Sequence, residues 1–83
     1  MGQLHDVVHV LVVDTDAHRR TLLCTVLRHG GALPLDGEGV EDARRIVERI
    51  RPDVVVASLD DRLVDDRSLR EAMADVPIIG ITA

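Results

Sequence analysis

At 83 residues and a net charge of −5, the chain has room for one domain, and a domain of that size buries only roughly 60–65% of the surface its unfolded chain exposes. The acidic surplus, with no Phe, Tyr or Trp, leaves neither the basic surface nor the stacking platform that nucleic acid needs. All ten basic side chains are arginine, which excludes any lysine-based chemistry, and apolar runs such as Val10 to Val13 are too short to span a bilayer.

The opening "MGQLHDVVHV" carries no early Arg or Lys and is interrupted by His5 and Asp6. No secretory leader is therefore expected, and the expected location is cytoplasmic. The single Cys24 forms no internal disulfide and is expected as a buried structural thiol. "VHVLVV" (Val8 to Val13) is a continuous apolar run ending at Asp14, the pattern of a strand buried on both faces of a parallel sheet. A helix follows, with Leu22, Leu23, Val26 and Leu27 recurring at helical spacing, Asp16 or Thr15 as its cap, and Gly30 or Gly31 supplying the left-handed residue at its end.

"ALPL" (Ala32 to Leu35) contains Pro34, which cannot donate to a ladder, so if this piece is a strand it is expected to be an edge strand or to carry Pro34 at its end, with "DGEG" as the turn after it. In the second helix Val40, Ala43, Ile46, Val47 and Ile50 share one side, and Arg44, Arg45, Glu48 and Arg49 lie mainly on the solvated one. Arg51 and Pro52 end that helix, and "DVVVAS" begins a second strongly β-prone run. An acidic loop, a short helix around Ser68 to Ala74 and a last strand "IIGITA" behind Pro77 complete the chain. Alternation of buried strands with helices predicts β-α-β-α-β-α-β, an α/β fold with right-handed crossovers and a parallel sheet.

In such an open sheet, ligands sit beyond the carboxyl ends of the strands. Those ends are Asp14, Ser58 and Thr82, with Asp16, Asp60 and Asp61 in the adjoining loops. This is the constellation in the sequence that can carry chemistry. His18 and His29 are eleven residues apart, about 16 Å along a helix, too far to share a metal ion.

These residues resemble the receiver domain of response regulators, the phospho-accepting module of two-component signalling. "VLVVDTDAHRRTLLCTVLRHGG" is similar to the family's first strand, acidic pair and first helix, with Arg20, Leu23, Leu27 and Gly30 at the expected spacings. "RPDVVVASLDD" resembles the Pro-Asp lead-in to the central strand, and "VPIIGITA" the fourth strand, whose Thr or Ser followed by Ala is matched by Thr82 and Ala83. The resemblance implies a flavodoxin-like parallel sheet, strand order 2-1-3-4, with helices on both faces. It also implies a single receiver-like domain over residues 1–83, cut off after the fourth strand.

Carried over residue by residue, the family's phospho-accepting aspartate falls six residues after Pro52, on Ser58. Asp14 matches the first member of the acidic pair, whereas Thr15 stands at the second, normally a direct metal ligand. Asp60 matches the position two after the acceptor, whose backbone carbonyl completes the metal site, and Thr82 matches the switch residue. Arg62 stands where the family often has proline, Asp65 matches the usual aspartate of an Asp-Gly pair, and Asp66 replaces its glycine. The phosphoryl-contacting lysine of the family's fifth strand has no counterpart.

Serine at the acceptor position changes the chemistry, because a hydroxyl needs an adjacent base whereas a carboxylate is already ionised and nucleophilic at pH 7. The expectation is a pseudo-receiver acting through protein–protein contact without standard aspartyl phosphorylation. Its expected partner is a histidine kinase, another signalling protein or a second copy of itself. No cofactor is required, although Asp14 with Asp16 can supply carboxylates for weak Mg2+ binding. A competing reading takes "VVDTDA" as the nucleophile motif it resembles in haloacid-dehalogenase-type phosphatases, with Asp14 attacking phosphorus and Asp16 as general acid beside magnesium. A third reading is a receiver fragment without function of its own.

Overall fold

The computed structural model describes residues 7–58 and 67–81. Four strands, β1 (His9–Val13), β2 (Leu33–Gly37), β3 (Val54–Ser58) and β4 (Ile78–Ile81), alternate with α1 (Ala17–His29), α2 (Val40–Arg49) and α3 (Arg67–Ala72). All strand pairs are parallel and the spatial order is β2-β1-β3-β4. The α/β architecture and strand order expected from the sequence are therefore those of the described residues, a four-stranded flavodoxin-like parallel sheet.

β1 and β3 are central because their side chains suit burial on both faces. Val10, Leu11, Val12 and Val13 are all buried, each contributing about 1.5–3 kcal/mol by leaving water. Alternation along β1 sorts them into two clusters. Leu11 and Val13 join Ala43, Val55, Ala57, Met73 and Val76 in one cluster, with Ile46 and Val47 of α2 packed on it. Val10 and Val12 join Cys24, with Leu23 and Leu27 of α1 packed on them. Helices thus cover opposite faces of the sheet. The Asp53 side chain ties the entry of β3 to β1, its Oδ2 accepting from His9 N at 2.8 Å while Asp53 N donates to His9 O at 2.8 Å.

Several boundaries differ from the sequence reading. β2 runs on through Asp36 and Gly37, which pair with Val12 and Val13, instead of turning at Asp36. The backbone bonds offered by β1 and the charge of Arg20 facing Asp36 hold those residues in the sheet. Leu22 and Val26 do not face the core: they are 53% and 67% exposed, and α1 packs through Arg20, Leu23, Cys24 and Leu27 instead. Ile50 leaves the apolar side of α2, since the helix ends at Arg49 and Ile50 is extended and exposed. The third helix is Arg67–Ala72 rather than Ser68 to Ala74.

Of the two caps the sequence offers, Asp16 and not Thr15 starts α1, its carboxylate accepting from His18 N and Arg19 N at 3.0 and 3.1 Å. It ends at Gly30, and the left-handed residue is Gly31, at φ 92°. No helix among the described residues is long and apolar enough to cross a membrane.

Candidate functional site at the carboxyl ends of β1 and β3

Strand alternation decides which side chains meet. Val13 and Ala57 are paired neighbours in the cluster packed by α2. The next residues, Asp14 and Ser58, therefore turn to the opposite side, where the first turn of α1 passes. Both are buried, at 0% and 1% exposure, and both stand beyond the last apolar residue of a central strand.

A buried carboxylate is costly unless it is paired and hydrogen-bonded, and Asp14 meets both conditions. Arg19 Nε donates to its Oδ2 at 2.5 Å and Arg19 Nη2 to its Oδ1 at 3.0 Å, a side-on bidentate pair. Oδ1 also accepts from Asp16 N at 2.9 Å. The same Nη2 donates to Ser58 Oγ at 3.0 Å, so one guanidinium joins the tips of β1 and β3. Arg19's hydrogen bonds hold the Asp14 carboxyl below the usual carboxylate range. Burial pushes the other way, and the Asp16 amide with the charges of Arg19 and Arg20 adds to the lowering.

Arg20 fixes the backbone of the same site. Its Nη1 donates to the carbonyl of Asp14 at 2.6 Å. Its Nε lies 2.5 Å from Asp36 Oδ1 on β2, an ion pair without the alignment of a hydrogen bond, and Nη2 lies 3.9 Å from Glu38. Asp14 N donates to Gly37 O at 3.1 Å. The carboxyl ends of β1, β2 and β3 are thereby fastened by two consecutive arginines from one helical turn.

Of the residues singled out in the sequence, Asp14 and Ser58 are brought together. Asp16 is exposed at the start of α1, with Oδ1 engaged by the helix amides. Asp60, Asp61, Asp65, Asp66 and Thr82 lie outside the described residues. His18 and His29 are both exposed on α1. Cys24 is buried, as its apolar setting predicts, and burial pushes its thiol up, with the charge of Asp36 adding to the rise.

The residue that sequence reasoning missed is Arg19. A signal for it exists: the first turn of α1 holds no acidic residue, and arginines placed there oppose the helix dipole. Two consecutive basic residues at an unfavourable end point to a partner outside the helix.

No group of three or more His, Cys, Asp or Glu side chains among the described residues is arranged to hold a metal ion. Within the described residues, Asp14 is a buried anion whose charge Arg19 meets from within the chain. A guanidinium cannot give up its proton in this setting, and it donates to the Ser58 hydroxyl, so it supplies no base to activate that oxygen. No protein-family model matches the chain, and no curated protein proves similar to it.

Proposed function

We propose that the chain is a receiver-like module of two-component signalling that acts through protein–protein contact, in the cytoplasm, without aspartyl phosphorylation. The observation that carries this reading is the bond from Arg19 to Ser58 at the carboxyl end of β3. The tip of the central strand, where a receiver holds its acceptor carboxylate, presents a buried hydroxyl that accepts from a guanidinium. A serine nucleophile needs a base within hydrogen-bond reach, and the nearby Asp14 carboxylate is engaged by Arg19. The parallel sheet of order β2-β1-β3-β4, with helices on both faces, supports the same reading.

Under this reading the partner is a histidine kinase, another signalling protein or a second copy of the chain, and no cofactor is required for its action. The module would present one fixed surface rather than a phosphorylation-dependent pair of surfaces. Incubation with acetyl phosphate and Mg2+ followed by intact-mass measurement is the test. The mass is expected to stay unchanged; a stable phosphoryl adduct mapped to Ser58 would overturn the proposal.

A phosphatase built on Asp14 as nucleophile draws little support from a carboxylate with no exposed surface and both oxygens engaged. Turnover of a generic phosphate ester that disappears in Asp14→Asn would favour it over the signalling reading.

A further inference from the structure

A carboxylate sealed at a strand tip requires a positive neighbour, and two kinds of group provide one. A hard divalent ion does so within a shell of oxygens, and a guanidinium does so by chelating the carboxylate side-on. We infer that Arg19 is the resident cation of this pocket, standing where a divalent ion would otherwise be held and closing the site to such ions. Removing the guanidinium is therefore expected to make the pocket responsive to Mg2+ or Mn2+.

Three features of the site lead there. The two Asp14 oxygens, the donors a hard ion would take first, are bonded to Arg19 Nε and Nη2 at 2.5 and 3.0 Å. The guanidinium also reaches Ser58 Oγ at 3.0 Å, so it spans both strand tips. Asp16, two residues on, is occupied as the cap of α1, its Oδ1 accepting from two helix amides. An incoming ion would have to displace a bidentate charge-assisted pair from a carboxylate with no exposed surface. The Arg19 side chain is only 27% exposed, which limits competition from water.

The inference concerns the chemistry of the pocket and stands whether or not the chain signals. A phosphoryl adduct on Ser58 would defeat the functional reading without touching it.

The test is thermal melting of the whole chain in MgCl2 or MnCl2 against NaCl of matched ionic strength. The unchanged protein is expected to melt at the same temperature in each. Arg19→Ala is expected to melt lower by on the order of 10 °C and to regain part of that loss with a saturable dependence on Mn2+. Asp14→Asn combined with Arg19→Ala is expected to lose this response.

A saturable rise in the unchanged protein, or no response in Arg19→Ala, would overturn the inference. Should Arg19→Ala be unfolded without metal, recovery of its circular dichroism on adding Mn2+ supports the proposal and failure to recover overturns it. In the unchanged protein, selective broadening of the Asp14 and Ser58 amide resonances by Mn2+ would overturn it independently.

Discussion

The Arg19 guanidinium grips the Asp14 carboxylate through both of its oxygens and extends one further bond to Ser58. Breaking one side of a buried pair leaves an uncompensated charge, a cost of about 3–5 kcal/mol when both partners are fully enclosed. Arg19 is partly exposed, so water screens some of that cost, and Arg19→Ala is expected to destabilise by about 2–3 kcal/mol. Asp14→Asn, which keeps the shape and removes the charge, is expected to cost less in the Arg19→Ala background than alone. Urea unfolding of the four proteins closes the cycle, and additive effects would show that the pair is not coupled.

The same pair sets an acid limb of stability. The folded Asp14 carboxyl titrates below its ordinary value of 3.8, so the folded state binds fewer protons there than the unfolded chain. Its contribution is fully present above 3.8 and is lost as pH falls through 3.8 towards the lower folded value. Unfolding free energy measured from neutral pH downward should decline less steeply in this range for Asp14→Asn. An unchanged slope would place the acid sensitivity elsewhere.

Two adjacent glycines at the end of α1 should respond oppositely to alanine. Gly31 holds φ at 92°, and a Cβ added there would meet nothing within 4 Å, so Gly31→Ala should cost about 1–2 kcal/mol through backbone strain alone. Gly30 has φ −84°, and a Cβ there meets its nearest neighbour, Leu27 O, at an ordinary 3.5 Å. Gly30→Ala should change stability by less than about 1 kcal/mol, in the stabilising direction. Thermal melts of the two variants test the contrast.

The two outer strands of the described sheet differ in protection. β2 carries Pro34, which lacks a donor, and the charged Asp36, whereas β4 reads Ile-Ile-Gly-Ile, with Ile78 and Ile79 at 38% and 53% exposure. An outer strand without charge or proline is a template for pairing. Light scattering across a concentration series should show association that weakens in Ile79→Lys. A concentration-independent monomer in the unchanged protein would defeat this expectation.

Much of the fold was legible because it depends on periodicity. The continuous apolar runs ending at Asp14 and Ser58 identify strands buried on both faces, and Pro34 identifies an outer strand, so topology follows from short-range pattern and connection rules. Element ends were less legible. Asp36 and Gly37 look like a turn in isolation and become strand because β1 offers them partners. Leu22 and Val26 satisfy helical spacing just as Leu23 and Leu27 do, and only the angle at which α1 meets the sheet separates exposed from covered.

At the site, the sequence by itself determined which polar groups end the central strands, since chain order and hydrophobic alternation place Asp14 and Ser58 at the tips of β1 and β3. Only the tertiary structure decided what they do to each other. Thirty-nine residues separate Arg19 from Ser58, and no local rule of propensity or spacing links them. Docking α1 across β1 and β2 carries the guanidinium to a carboxylate cut off from water, where the cost of leaving that charge alone selects Arg19 as its partner.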